Sequence, residues 1–218
     1  MSGGGEASPR ESGLPALAPG ALHVWFGDLD ALRDPEFLAS CRAQLDAEET
    51  GRLQRFVFAP DRHRFLVSHA LLRSVLSLYG ALDAASWRFA KGEHGKPGLI
   101  AGQREIAPQF NLSHSGSLAL LAVSADAGKL GIDVEFHHLE RSFHGLARRN
   151  FAPGEAARLR GLADAELASE FYDLWTLKEA FVKACGDGLS RSLADFWFRF
   201  DRAGGSLAFD ARPALETE

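Results

Sequence analysis

The segment "GIDVE" at residues 131–135 places two carboxylates where they could act together. Alternate side chains of a β-strand project from one face, so Asp133 and Glu135 would lie about 6 to 7 Å apart along the chain. These like charges repel unless a cation lies between them, and Mg²⁺ takes oxygen ligands while keeping waters for a phosphate. The alternative is an edge strand with a wet polar face, and the spacing alone does not decide between the two.

The stretch "WTLKEAFVKACGDGL" at residues 175–189 offers a second group of charges. Glu179 and Lys183 are one helical turn apart, in the favourable order for a surface ion pair worth about 0.2 to 0.5 kcal/mol. Lys178, however, projects from the apolar side of the same helix, where a lysine needs an anionic partner. We interpret the stretch as the wall of a site, with the surface ion pair as the alternative.

The elements that must position these residues predict an α+β fold. Asp34 is the expected N-cap of a helix with Pro35 at its first position, and a second helix should end at Gly80. The predicted order is a strand in "ALHVWFGDL", a helix over "DPEFLASCRAQLDAEETGRLQRF", a helix over "APDRHRFLVSHALLRSVLSLYG", a strand and turn in "WRFAKGEHGKPGL", and two strands, "FNLSHSGSLALLAVS" and "KLGIDVEF", separated by the turn "ADAG".

The second half of the chain partly repeats the first. Phe-Ala-Pro occurs at residues 58–60 and again at 151–153, and each is followed by helical sequence that ends in glycine before a β-like segment. This repeat predicts two similar α/β lobes, related by a pseudo-twofold axis, with the active site in the cleft between them. The expected division is a flexible leader over residues 1–20, an N-terminal lobe over 21–125 and a C-terminal lobe, shortened at its end, over 126–218.

Composition excludes several classes of protein. The 218 residues are 46% hydrophobic and 24% charged, with a net charge of −5, so no broad basic surface for nucleic acid is expected. No run approaches the roughly 18 apolar residues of a membrane span, and the leader lacks the features of a signal peptide. Cys41 and Cys185 form no metal or disulfide motif. We expect a cytoplasmic monomer that binds neither nucleic acid nor membrane.

Three segments together resemble a known family. "FNLSHSG" at 110–116, "GIDVE" and "WTLKEAFVKACGDGL" are similar to the signature segments of the 4′-phosphopantetheinyl transferases, of the large two-lobed type that activates peptide and polyketide synthases. The resemblance implies a Mg²⁺-dependent enzyme that moves 4′-phosphopantetheine from coenzyme A to a serine of an apo acyl or peptidyl carrier protein, releasing adenosine 3′,5′-bisphosphate. A module that binds coenzyme A and carrier without turnover is the alternative.

The resemblance also implies roles for individual residues. The expected Mg²⁺ ligands are Asp133, Glu135 and Glu179. Glu179 would take the proton of the carrier serine, and Lys183 would contact the pyrophosphate and protonate the departing phosphate, so the catalytic set is Glu179, Lys183 and Asp133. The expected coenzyme A contacts are Arg52, Arg64, Lys96, Ser113, His114 and Lys183.

Each coenzyme A contact has an ordinary structural alternative, and the chain departs from the family at three places. His114 could be a turn histidine, and the arginines and Lys96 could be solvated surface residues. Glu49 stands where the family has a phosphate-binding lysine, and His94 stands where an aromatic residue often precedes Gly-Lys-Pro. Relatives also continue further beyond "FWFRFDRAGGSLAFDARPALETE".

Overall fold

The structure is a computed structural model, and it describes residues 16–91, 97–126, 128–138, 142–186, 188–201 and 205–212. Lys96 and His94, most of the predicted leader, and the last six residues lie outside the described residues. The helices and strands, in chain order, are β1 (Leu22–Asp28), α1 (Pro35–Gln44), α2 (Ala47–Arg55), α3 (Ala59–Tyr79), β2 (Phe89–Lys91), β3 (Pro97–Leu99), β4 (Gln109–Ser115), β5 (Leu118–Ser124), α4 (Phe143–Asn150), α5 (Pro153–Leu159), α6 (Asp164–Cys185), β6 (Phe196–Asp201) and β7 (Ser206–Ala211). The α+β prediction is confirmed.

The predicted helix over residues 34–56 is wrong as a single element, because it divides into α1 and α2. Asp34 caps α1 as expected, accepting a hydrogen bond from the Phe37 amide at 2.8 Å. A second cap then interrupts the helix, since the Asp46 side chain accepts from the Glu49 amide while the Glu49 carboxylate accepts from the Asp46 amide. This reciprocal capping box starts α2 as a new helix, so α1 and α2 are not one continuous helix.

The main sheet has three antiparallel strands in the order β1-β5-β4. The predicted single strand over residues 110–124 is a hairpin, because Gly116 adopts φ +57° and turns the chain between β4 and β5. Residues opposite one another share a face, so Phe26, Leu120 and Ser113 form one row across the sheet.

The predicted strand "KLGIDVEF" does not join this ladder. Residues 131–136 run beside β4 in the same direction, and side chains of β4 hold them in place of backbone pairing. The Ile132 amide donates to Asn111 Oδ1 at 2.8 Å, and the Phe136 amide donates to Ser115 Oγ at 2.9 Å. Polar side chains at alternate positions of β4 therefore replace one side of a strand pairing.

In the second half, the helical sequence after Phe-Ala-Pro forms two helices, a short one and a long one. The Phe-Ala-Pro at 151–153 leads into α5, which ends at Leu159, and the long helix α6 begins only at Asp164. Its end was predicted correctly, since Gly186 adopts the left-handed conformation at φ +84°. The β-like segment is the hairpin of β6 and β7.

The buried clusters each draw on one half of the chain. In the first half, α3 packs on the sheet through residues such as Leu72, Trp87 and Leu121, and in the second, α6 packs on α4 and α5 through Phe171 and Leu159. The other buried clusters likewise take their members from residues 29–119 or from residues 182–211. Within the described ranges, no helix has the length and apolar character to cross a membrane.

Candidate active site

Gly131 brings the acidic segment against α6. A β-carbon at this position would overlap the carbonyl oxygen of Ala180 and lie 2.6 Å from the amide of Ala184. Only glycine lets the two backbones approach this closely. The glycine of "GIDVE" therefore sets the position of Asp133 relative to the charged residues of α6.

Asp133 lies at the centre of a tight polar cluster. Its Oδ1 accepts hydrogen bonds from Ser113 Oγ at 2.9 Å and from Lys183 Nζ at 2.6 Å, and Lys183 also donates to Ser113 Oγ at 2.8 Å. The Asp133 side chain is 5% exposed and that of Lys183 is 29% exposed. Strand β4, the acidic segment and α6 therefore meet at one point that solvent reaches from the lysine side.

Glu135 and Glu179 complete the group of acids. Glu135 accepts from Ser115 Oγ at 3.1 Å, so the two acids of the segment contact alternate residues of β4 and face the same way, as predicted. Burial raises the pKa of Glu179, and the negative charges of Asp133 and Glu135 raise it further, against an opposing effect of Lys183. Glu179 therefore lies within electrostatic reach of both acids of the segment.

The donor set of this cluster fits a hard cation. Asp133 Oδ2 is buried and has no hydrogen-bond partner among the described residues, which is a costly state for a carboxylate oxygen. Across the residues that the structure describes, no group of three or more His, Cys, Asp or Glu side chains is arranged to hold a metal ion. Mg²⁺ commonly takes one or two carboxylates and fills its remaining positions with water and phosphate oxygens, so the orphaned oxygen and a neighbouring acid suffice.

A group of cations lies beside the acids. The pKa of His114 is lowered by the protein atoms packed around its ring and by the positive charges of His69, Lys183 and Arg64, although its side chain is open to solvent. Arg64 is half-exposed and pairs with Asp61 at 2.9 Å. Four side chains that can carry positive charge thus share one region, which suits an anionic ligand.

The remaining predicted coenzyme A contacts are Arg52 and Lys96. Arg52 is exposed on α2, with its guanidinium 5.0 Å from the centre of the Phe65 ring. Lys96 lies outside the described residues. The structure therefore brings together Asp133, Glu135, Glu179, Lys183, Ser113, His114 and Arg64, and leaves Arg52 in a packing contact.

Lys178 has an anionic partner, as its place on the apolar side of the helix required, but that partner lies in the core and not at the site. Its side chain is 0% exposed, and Nζ binds Glu155 at 2.8 Å and the carbonyl oxygens of Leu193 and Phe196 at 2.8 and 2.6 Å. Burial lowers the pKa of Lys178, and the bond to Glu155 opposes that effect. The anionic partner that the apolar position required is Glu155, and the pair joins α5, α6 and β6 in the core.

Sequence reasoning missed the residues that support the acids. Gly131, Asn111 and Ser115 were not singled out, although Asn111, Ser113 and Ser115 form an alternating polar row in an otherwise apolar hairpin. That period of two was the available signal, because it marks one face of a strand with unsatisfied hydrogen-bonding groups.

Comparison with protein families gives a consistent assignment for both halves of the chain. A family model described as the 4′-phosphopantetheinyl transferase superfamily matches residues 129–217. A second model, described as 4′-phosphopantetheinyl transferase, N-terminal, matches residues 33–126. The two models together cover the segments that hold the acids, the cations and α3.

Curated relatives agree with the family models. The 4′-phosphopantetheinyl transferase HetI of Nostoc sp. is 38% identical over 186 residues, which are 84% of this chain and 76% of the relative. The 4′-phosphopantetheinyl transferase Sfp of Bacillus subtilis is 34% identical over 160 residues, 73% of this chain and 68% of the relative. A phosphopantetheinyl transferase of Thraustochytrium sp. is 31% identical over 217 residues, 92% of this chain and 73% of the relative. The resemblance seen in the three segments is confirmed, and the chain belongs to the 4′-phosphopantetheinyl transferase superfamily.

Proposed function

We propose that this protein transfers the 4′-phosphopantetheine group from coenzyme A to a serine of an apo acyl or peptidyl carrier protein of a peptide or polyketide synthase. One observation carries the proposal: Asp133, with a buried and unpartnered oxygen, is held against Lys183 beside two further acids and a group of cations. Such a site neutralises charge and positions phosphates, which is what phosphoryl-type transfer requires of a protein.

In the proposed reaction, the serine Oγ forms a bond to the β-phosphorus of coenzyme A. The bond from that phosphorus to the oxygen of the departing adenosine 3′,5′-bisphosphate breaks. Glu179 accepts the serine proton, and its raised pKa makes it a stronger base than an ordinary glutamate. Lys183, already directed into the cluster by Asp133 and Ser113, donates a proton to the departing phosphate.

The acids would hold Mg²⁺, with Asp133 Oδ2 as the most available ligand and Glu135 and Glu179 beside it. The ion would supply positive charge to the pyrophosphate. Ser113, His114 and Arg64 would bind the nucleotide phosphates, and we retain Arg52 and Lys96 as weaker members of that set. The separation of the buried clusters supports two lobes, at residues 21–125 and 126–218, with the site between them. We also infer a cytoplasmic monomer.

A transfer assay tests the proposal. The protein is incubated with coenzyme A, Mg²⁺ and an apo peptidyl carrier protein, and the carrier is weighed by mass spectrometry. We expect the carrier to gain one phosphopantetheine group, and we expect EDTA to prevent the gain. A carrier that binds without any gain in mass would show a non-catalytic binding module and would contradict the proposal.

A further inference from the structure

Glu49, the residue that replaces the family lysine, lies at the centre of a buried ionic network. Its side chain accepts from Arg73 Nε at 2.8 Å, and Arg73 also donates to Asp46 Oδ2 at 3.0 Å. Arg73 is fully buried and donates further to the carbonyl oxygens of Ala84 and Trp87. Glu49 is thus turned into the protein and balanced by Arg73, and it presents no carboxylate to an anionic ligand.

His69 is the outward end of this network. Its Nδ1 lies 2.7 Å from Glu49 Oε1, and the ring packs on Phe65 with centroids 4.0 Å apart. Burial disfavours ionisation of Glu49, but the hydrogen bonds from His69 and Arg73 outweigh burial and lower its pKa. An ionised carboxylate can only accept, so Nδ1 carries a proton and the Nε2 edge of the ring is the one available to a ligand.

The available edge of His69 belongs to the cationic region of the site. The positive charge of His69 acts on His114 together with the charges of Lys183 and Arg64. Within the described part of the chain, Nε2 has no hydrogen-bond partner, and it is not among the buried polar atoms that lack one. An imidazole that donates from Nδ1 to a carboxylate can also donate from Nε2 once that nitrogen is protonated, and the doubly donating ring can then bind an anion beside the neighbouring cations.

We propose that His69 binds a phosphate group of coenzyme A through Nε2, and that Glu49 is the residue that positions it. The inference rests on the proposed function. It explains how a chain with an acid at the lysine position can still bind the nucleotide: the carboxylate is buried, and it holds a histidine whose second nitrogen can contact a phosphate. The alternative is that His69 only packs between Phe65 and Glu49.

Direct binding separates these two roles. Isothermal titration calorimetry measures the affinity of coenzyme A and of dephospho-coenzyme A, which lacks the 3′-phosphate, for wild type and for His69→Gln, His69→Lys and Arg55→Gln. Arg55 is exposed on the neighbouring helix α2, so its variant controls for the loss of one positive charge. Urea unfolding of each variant shows whether the fold is kept.

We expect His69→Gln to bind coenzyme A about 10-fold more weakly, His69→Lys to recover most of that loss, and Arg55→Gln to bind like wild type. A loss seen with coenzyme A alone assigns the 3′-phosphate, and a loss with both ligands assigns the pyrophosphate. Glu49→Gln should weaken binding in wild type but add little in the His69→Gln background.

The inference is overturned if His69→Gln binds both ligands like wild type, or if His69→Gln and His69→Lys lose equal affinity while remaining folded. Should His69→Gln fail to fold, wild-type affinity in a folded Glu49→Gln variant would overturn it equally. If wild type binds coenzyme A and His69→Gln binds it with the same affinity, this inference fails and the proposed transfer stands. Wild type that binds no coenzyme A contradicts both the transfer and this inference.

Discussion

Two lysines of helix α6, five residues apart, each form an ion pair, and the two pairs differ in how completely they are satisfied. Lys178 is 0% exposed and has three acceptors for its three N–H groups: Glu155 and two backbone carbonyl oxygens. Glu155 in turn accepts from the amides of Ala152 and Phe198. The charged groups of Lys178 and Glu155 thus find all these hydrogen-bond partners within the protein.

The pair of Lys183 and Asp133, which we call the open pair, is partly exposed and incompletely hydrogen-bonded, whereas the closed pair of Lys178 and Glu155 is buried and satisfied. Lys183 is 29% exposed, and Asp133 leaves one buried oxygen without a partner while its neighbours Glu135 and Glu179 add negative charge. Buried polar groups are normally satisfied, so an unsatisfied oxygen in a charged cluster indicates a position for a ligand. The contrast separates a pair that holds the fold from the pair that we propose for chemistry.

Exchanging the charges of Glu179 and Lys183 should have the largest effect on activity. With Glu179→Lys and Lys183→Glu combined, a carboxylate would face Asp133 Oδ1, where Lys183 now lies at 2.6 Å. We expect at least about a 100-fold loss of transfer rate in a protein that still folds, measured by carrier mass and urea titration. The same exchange at the exposed pair Asp30 and Arg33 is the control. Near-native activity in the Glu179 and Lys183 exchange would contradict the catalytic roles.

Gly131→Ala should lower activity by displacing the acidic segment, although it changes no charge. The added β-carbon overlaps the Ala180 carbonyl, so the acidic segment must move away from α6. A displacement of about 1 Å at Asp133 is expected to lower the rate about 100-fold. Gly128→Ala lies in the same segment with no atom within 4 Å and should be active. Equal rates for the two variants would show that close contact with α6 is not required.

Lys178→Met should act on stability instead of chemistry. It leaves Glu155 buried without its cation, which typically costs about 3 to 5 kcal/mol of unfolding free energy. Arg212→Gln, which breaks the exposed pair with Asp195, should cost less than about 1 kcal/mol. Urea unfolding measures both. If Lys178→Met were as stable as Arg212→Gln, the closed pair would not be structural.

The network around Glu49 predicts a smaller, pH-dependent effect. Because the pKa of Glu49 is lowered in the folded protein, its ionised form contributes stability above the ordinary glutamate pKa, and that contribution is lost as the pH falls through the folded value. When the pH is lowered from 7 into the acid range, the unfolding free energy of Glu49→Gln should therefore fall less than that of wild type. Asp30→Asn is the exposed control, and an acid limb unchanged by Glu49→Gln would contradict the network.

The sequence predicted the parts of this molecule that depend on local patterns. The N-cap at Asp34 and the end of α6 at Gly186 follow from capping chemistry and were predicted correctly, and α3 also ends before Gly80 as predicted. The break at Asp46 also has a local cause, yet the long apolar pattern on both sides favoured one helix. The acid and lysine motifs lie in segments that the structure brings into contact.

What sequence could not predict depends on contacts between distant segments. The partner of Lys178 lies in α5, and Gly131 is explained only by the backbone of α6. Nor does any local pattern show that Glu49 faces Arg73 and His69 rather than a ligand. The contact of Lys178 could not be assigned from sequence, and only tertiary packing shows that it lies in the core while Lys183 meets Asp133.

The most direct test of the open pair is the affinity for Mg²⁺ in wild type and in Asp133→Asn, measured by isothermal titration calorimetry in the presence of coenzyme A. Asparagine keeps the shape of the side chain but removes the charge of the orphaned oxygen. We predict that Asp133→Asn binds Mg²⁺ at least about 10-fold more weakly than wild type. Equal affinities in the two proteins would contradict the account, because the unpartnered oxygen of Asp133 would then have no role in holding the cation.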